Sequence, residues 1–362
     1  MAVEGGSDTL LRLILEGLPT SLLDRTIELV PIPSSVWSYR RHPVRYLWMR
    51  FMRRLGTEIP VVDLRALCRR QRLDAAYFAA PAFAHIDIPF VFTVWDLGHR
   101  TVPDFPEMRS ARDPWTQREA LFQRMVAQAG TVIVGNQAGA EEVCRSCGVE
   151  RTKVAVLPFP NPDFSSVEAM TPAWQPARPF FLYPAQLWPH KNHYTLLESL
   201  ARPLGQADPL FDLVFVGSDK GNTEYLKAAA AALGVGGRVH FAGFVPRREL
   251  KALYEHAAGL VFSSLLGPNN LPLQEAAVLG CPAIVSDLPG HREQLREGAL
   301  YVPPMDAGAW SAAMRGLLNN PALRPTLVAR AREAVAGCTL EAYAVGLSRV
   351  FAELAARRGL WA

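Results

Sequence analysis

Lysine is scarce in this chain. Of 38 basic residues five are lysine (Lys153, Lys191, Lys220, Lys227 and Lys251), and none precedes position 153. The solvated surface is therefore left almost entirely to arginine, and each lysine invites a specific explanation. No apolar run approaches the roughly 20 residues needed to span a bilayer. The amino terminus carries Glu4 and Asp8, unlike the basic start of a signal peptide. Cysteine is sparse and odd in number (68, 144, 147, 281, 338), which excludes a disulfide framework and predicts reduced thiols in a cytoplasmic protein. The Cys144-x-x-Cys147 spacing lacks a second pair or a flanking histidine cluster, so it reads as structural and no metal site is expected. Low-complexity tracts are absent. The net charge of +4 is too small for the field of a nucleic-acid-binding domain, so no nucleic-acid partner is expected.

What is present is a chain of 362 residues, 49% hydrophobic. At roughly 150 residues per domain this suggests two domains with full cores. In the second half short apolar runs alternate with helical stretches: 180–183 then 191–202, 213–217 then 222–233, 239–241 then 247–257, 259–262 then 271–279, and 283–285 before another short helix. Such alternation is the mark of a doubly wound parallel sheet, a Rossmann-like domain. The first half repeats it less regularly, with runs at 26–32, 75–79, 88–95, 131–135 and 153–158. Between them, six prolines at 158–179 read as a linker and place the hinge there. The expected division is 1–165, 166–340 and a terminal helix, 341–362. That helix has an apolar face (Leu340, Tyr343, Leu347, Val350, Phe351, Leu354) that either caps the second domain or crosses back to the first. Doubly wound domains open on a buried strand that feeds a glycine turn. Here Gly5-Gly6 follow only Met1-Ala2-Val3-Glu4, so the first strand is missing from its usual place.

Open α/β sheets bind ligands at the carboxyl ends of their strands. After 180–185 comes Gln186-Leu187-Trp188-Pro189-His190-Lys191-Asn192-His193, opening a helix. A lysine there opposes the helix dipole and asks for an anion, with phosphate the obvious one. The alternative is a solvated surface lysine. After 213–216 comes Gly217-Ser218, where backbone can approach a ligand. After 259–262 the segment 263–277 combines Gly267-Pro268, Asn269-Asn270 and Leu271-Pro272 before a helix carrying Glu275, whose carboxylate suits a ribose diol or simply stabilises the helix start. In the first half, Trp95-Asp96-Leu97-Gly98-His99 ends a strand at its carboxyl edge, and Asp96 and His99 are candidate site residues there. For His99 a buried structural role is the alternative.

The segments 183–193, 243–246 and 267–282, together with Asp287-Leu288-Pro289-Gly290, resemble retaining glycosyltransferases of family 4. The likeness extends to a subset acting as surface-polysaccharide and O-antigen mannosyltransferases. It implies an α/β GT-B fold, two Rossmann-like domains facing a cleft, with an acceptor-binding first domain and a nucleotide-sugar-binding second. It also implies transfer of a hexose, with mannose the first choice, from a GDP- or UDP-linked sugar to a saccharide or lipid-linked saccharide, with no metal or other cofactor. By position, Lys191 corresponds to the lysine that neutralises the diphosphate and Glu275 to the glutamate on the ribose. Gly6, Gly217 and Ser218 would lie near the phosphates, Phe244 and Val245 against the base, and Pro268, Asn269, Asn270 and Leu271 around the sugar. Two positions depart from the family. Gln186 stands where an arginine is usual, and Gly267 where a glutamate usually touches the donor sugar. These departures keep a second reading open, a catalytically silent GT-B subunit that binds a saccharide or a partner.

A basic, aromatic stretch remains. Ten arginines lie between Arg40 and Arg72 against Glu58 and Asp63. Trp37, Arg45, Trp48, Arg50 and Arg53 are candidates for contact with an anionic membrane surface, which would make the enzyme peripheral on the inner face. An ordinary amphipathic helix with solvated arginines is the alternative.

Overall fold

The computed structural model describes residues 64–70, 72–81, 86–109, 115–202 and 210–359. Gly6, the apolar run 26–32, the expected missing strand and the membrane-contact candidates Trp37, Arg45, Trp48, Arg50 and Arg53 lie outside the described residues.

Among the described residues the first domain shows four parallel strands in the order β1 (Ala76–Phe78), β2 (Phe90–Thr93), β3 (Thr131–Val134) and β4 (Val154–Val156). Helix α1 (Leu64–Arg70) precedes them, the single turn α2 (Gly98–Thr101) and α3 (Trp115–Gln128) join β2 to β3, and α4 (Gln137–Cys147) joins β3 to β4. Asn136 caps α4 by accepting from the Gly139 amide at 2.9 Å, and Gly148 ends it in the left-handed region at φ +65°. Cys144 and Cys147 sit in the last turn of α4 as free thiols.

The second domain is a six-stranded, all-parallel sheet. Its strands are β5 (Phe180–Pro184), β6 (Asp212–Val216), β7 (Val239–Gly243), β8 (Gly259–Phe262), β9 (Ala283–Ser286) and β10 (Ala299–Val302), in the spatial order β10-β9-β8-β5-β6-β7. Central strands buried on both faces read as continuous apolar runs, and β5, β6 and β8 are such runs. The polar exception is the buried Asp212, held by His240 at 2.9 Å and Arg178 at 3.1 Å. Helices α5 (His193–Leu200), α6 (Thr223–Ala232), α7 (Arg247–His256), α8 (Leu271–Leu279), α9 (Pro289–Leu295), α10 (Ala307–Asn319) and α11 (Leu323–Val335) cover the sheet. The strand β10 is absent from the sequence reading.

Helix α12 (Leu340–Gly359) crosses back. Tyr343, Ala344, Leu347, Val350 and Leu354 pack against Val91, Ile133 and Phe159 of the first domain, and the Tyr343 and Tyr77 hydroxyls meet at 2.6 Å. The proline-rich segment 157–179 contains no helix or strand, yet it is not a loose tether. Asn161 donates from its backbone to Cys338 O and from its side chain to Val335 O, both at 2.8 Å. Lys251 donates to Val167 O at 2.7 Å, and Phe159 and Phe164 are buried. The two chain crossings between the domains therefore run side by side, bonded to each other through Asn161.

Candidate functional site between the two domains

The strand order reverses between β5 and β8, and in doubly wound sheets that reversal opens a crevice at the carboxyl ends of the strands. The loops leaving these two strands carry Lys191 and the segment 263–270. Lys191 closes a short 3-10 turn (Pro189–Lys191) just before α5, and Asn192 follows in the left-handed region at φ +57°. The side-chain amide of Asn192 donates to Ser263 O at 3.2 Å and Pro304 O at 2.9 Å, and Tyr183 donates to Lys191 O at 2.6 Å. These bonds fix the lysine backbone. Its Nζ then lies 3.2 Å from Asn270 Oδ1 and 3.4 Å from Ser264 Oγ, over the Phe262 ring. Burial pushes the Lys191 ammonium down to about 8, partly opposed by Asp96 across the cleft.

Around Lys191 the loops are packed to backbone contact. Gly217 has φ +154°, and a Cβ there would come within 2.2 Å of Ala185 O. Ser218 O accepts from the Leu187 amide at 3.2 Å. Gly290 is equally confined, since a Cβ would fall 2.2 Å from Pro268 O. Glu275, in α8, accepts from the Tyr254 hydroxyl at 2.7 Å. Burial raises its carboxyl above the usual range, against the pull of Tyr254 and Arg247. Phe244 is 57% exposed at the carboxyl edge of β7, whereas the Val245 side chain is buried in the domain core, which leaves contact with a base to its backbone.

The two departures acquire physical content. Gly267 adopts φ +133°, and a Cβ there would lie 2.4 Å from Asn270 Nδ2, so the space is taken by the Asn270 amide. Gln186 accepts from Trp188 Nε1 at 2.8 Å, and Lys220, from the loop after β6, lies with its Nζ 5.4 Å from the Trp188 ring centroid. Lys220 and Gln186 thus both contact Trp188, from different loops. Asn269 does not join Lys191. It points into the first domain, against Gly135, where a Cβ would be 2.4 Å from its amide nitrogen. Pro268 O accepts from Asn136, and Leu271 packs with the first-domain cluster under α12.

From the first domain, Asp96 faces this site. Burial raises its carboxyl, but Arg118 at 2.8 Å, the Gly98 amide at 2.8 Å and the Lys191 charge outweigh burial and hold it below the usual carboxylate range. His99 is a correction. It is 0% exposed, stacked on Phe122, with Nε2 3.1 Å from Glu119. The turn α2 carries its ring inward under α3, so it is a core histidine with no access to the cleft.

Two carboxylates escape the sequence reading. Glu107 accepts from the His190 backbone amide at 3.0 Å and from His190 Nδ1 at 2.6 Å, joining the domains one residue before Lys191. Glu142, in α4, lines a narrow interdomain cavity with Trp95, Asp96, Gly135 and Asn269. Burial and the nearby Asp96 raise its carboxyl to about 7. Its Oε1 and the Trp95 Nε1 are buried without partners. Glu293, from the second domain, makes another bridge, accepting from the Gln137 and Ala138 amides at 2.7 and 3.0 Å at the start of α4. Among the described residues no group of three or more histidine, cysteine, aspartate or glutamate side chains is arranged to hold a metal ion, and no helix is long and apolar enough to cross a membrane.

Comparison with known proteins places this geometry. Residues 171–334 match the family model described as "Glycosyl transferases group 1". The O-antigen chain mannosyltransferase RfbU of Salmonella typhimurium is 32% identical over 145 residues, 39% of this chain and 39% of that protein. The phosphatidyl-myo-inositol mannosyltransferase of Mycobacterium leprae is 30% identical over 171 residues, 46% and 44% of the two chains. The matches span less than half the length of these relatives. Among solved structures, sucrose-phosphate synthase from Thermosynechococcus elongatus superposes with a TM-score of 0.64 at 21% identity, covering 81% of this chain and 77% of that one. Anabaena HepE in complex with UDP superposes with a TM-score of 0.58 at 17% identity, covering 74% and 72%. These likenesses establish the GT-B fold.

Proposed function

We propose, from the premise that residues 171–334 belong to the glycosyl transferases group 1 family on a GT-B frame, that the chain moves a hexose from a nucleoside diphosphate sugar to a saccharide acceptor with retention of configuration. The observation that carries this is the placement of Lys191. A half-buried ammonium, depressed to about 8 by its surroundings, stands at the topological switch point facing the first domain. Breaking a glycosyl-phosphate bond gathers negative charge on the leaving diphosphate, and a preorganised cation in a dry cleft lowers that barrier. Glu275, one turn into α8, suits the ribose hydroxyls. Exposed Phe244 suits a base face, and Lys220, beside Trp188, is the candidate for a second phosphate charge. Asp96, held ionised by Arg118, suits an acceptor hydroxyl. In a front-face displacement the leaving phosphate takes the acceptor proton, so no separate base is required and activity should persist in EDTA.

Mannose is favoured as the sugar by the names of the two relatives, both mannosyltransferases. A GDP-linked donor is the corresponding first choice, with UDP-linked donors the second. A lipid-linked acceptor at an anionic inner leaflet would fit the basic, aromatic stretch at 37–54. Sedimentation with anionic liposomes at low salt tests that part, and absence of the protein from the pellet would remove it.

The test of the main reading is a saturation-transfer NMR screen of GDP-mannose and the common UDP- and ADP-linked sugars, followed by product analysis with the donor that binds. Binding with donor turnover is the expected result. Binding without hydrolysis or transfer would favour the silent-subunit reading, and no binding by any donor would remove the function.

A further inference from the structure

His291 is fully buried at the start of α9, between Phe262 and Asn270. Its Nδ1 lies 2.8 Å from Ser286 O. A backbone carbonyl only accepts, so Nδ1 carries the proton. Burial pushes the imidazole down to about 4, so the ring is neutral at ordinary pH and Nε2 presents a bare lone pair. That nitrogen lies 2.9 Å from Asn270 Nδ2. An amide oxygen in this place would meet the lone pair without a proton between them, so the NH2 end of Asn270 must face His291. The oxygen end is then turned to Lys191, 3.2 Å from Nζ. Gly267, lacking a side chain, leaves the room in which the amide sits.

We propose that His291 is a positioning residue for Lys191, setting the Asn270 amide so that its oxygen faces the ammonium. The proposal rests on the reading of Lys191 as the donor-facing cation. The chain of direction runs from Ser286 O to His291, from His291 to Asn270, and from Asn270 to the lysine. A reversed amide would aim two N–H groups at the ammonium and disfavour its charged form. A correctly turned amide keeps Lys191 charged and fixed before any anion arrives, in the preorganised state that electrostatic catalysis requires. His291, fully buried, acts on the site through Asn270.

Two measurements test this, and the scarcity of lysine makes the first practicable. With the five lysines labelled at 13Cε and Lys191→Met used for assignment, the titration of Lys191 is followed by NMR in the full chain. The other charged or titratable groups that influence it are Asp96 from the first domain, His190, bonded to Glu107, and His193 on its own segment, with Asp287 acting on His291. All are unchanged between the variants compared. His291→Phe keeps a ring and loses both nitrogens, and it should lower the Lys191 midpoint by about one unit. His291→Gln, which retains an acceptor within reach of Asn270, should restore it. Were His291 merely structural, its loss would loosen the cluster, admit water and move the midpoint up towards the ordinary lysine range. An unchanged or raised midpoint overturns the proposal. The second measurement needs no variant: long-range 1H–15N correlation on the wild-type chain should show the Nδ1–H tautomer for His291, and a proton on Nε2 would overturn the proposal even if His291→Phe failed to fold. Titrating the same labelled wild-type sample with GDP, UDP and ADP keeps the two readings apart. If none perturbs Lys191, the donor-site reading fails, whatever the tautomer.

Discussion

Glu107 Oε1 lies 2.6 Å from His190 Nδ1 and 3.0 Å from the His190 backbone nitrogen, so one first-domain carboxylate grips the residue beside Lys191 twice. Burial raises the Glu107 carboxyl, but the bonds from His190 outweigh it and hold it below the usual range. Burial likewise keeps His190 below the usual histidine range despite its anionic partner. The pair is therefore a neutral imidazole donating to a carboxylate. It clasps two domains for which relative motion is the default expectation.

Glu107→Ala should weaken the closed arrangement by about 2 kcal/mol, the scale of a hydrogen bond to a charged, buried acceptor. Small-angle scattering should show a larger radius of gyration, and donor affinity should fall. An unchanged radius and affinity would mean the clasp is incidental.

Lys191→Met should trade function for stability. The ammonium is depressed from 10.5 to about 8, so the folded state holds its proton less readily than the unfolded one. The resulting cost is full below pH 8 and is relieved as pH rises towards 10.5. The variant should melt a few degrees higher than wild type at pH 7, with the advantage shrinking by pH 10, and should lose nucleotide binding. Calorimetric melts at the two pH values check the sign, and a variant less stable at pH 7 would contradict it.

Glu142→Gln should behave in the opposite pH sense. The carboxyl is raised from 4.5 to about 7, so the folded state favours the protonated acid. Its ionisation costs nothing below pH 4.5, and the cost grows through the interval to about pH 7, where it levels. The amide variant should gain little at pH 4.5 and most at pH 8. Equal gains at both would place Glu142 outside the closed cavity in solution.

Gly217→Ala should damage the donor loops without touching a charge. The new Cβ would meet Ala185 O at 2.2 Å, at φ +154°. A cost of about 2 kcal/mol is expected from the backbone alone. The checks are a lower melting temperature and a raised donor KM, and a silent substitution would show the two loops to be less closely packed in solution.

The parts of this protein that were legible in its sequence were those written locally. β5, β6 and β8 are buried on both faces, so their runs were unbroken, and Lys191 stood out because arginine serves elsewhere. Strand β10 went unread although Gly298 and Pro303-Pro304 bracket Ala299-Leu300-Tyr301-Val302; it is an edge strand buried only at its two ends, unlike the fully buried β8 and β9 of the same length. His99 was drawn to the cleft by its place at a strand end. Position along a strand names the loop, but the inward turn of 98–101 depends on Phe122 and Glu119, which arrive from α3. Glu107 and Glu142 were invisible for the same reason, since their significance comes from His190 and Asp96, distant in sequence. The destination of α12 was undecidable until Val91, Ile133 and Phe159 supplied the surface that its apolar face covers.

The proposed transfer depends most on Lys191 meeting a nucleoside diphosphate. Isothermal titration of the wild-type chain and Lys191→Ala with GDP, UDP and ADP at pH 7 measures this directly. One nucleotide should bind the wild type, with GDP the expected ligand, and its affinity should fall about 100-fold in the variant, as loss of a charge-assisted contact to phosphate requires. Equal affinity in the two proteins, or no binding of any of the three to the wild type, would contradict it.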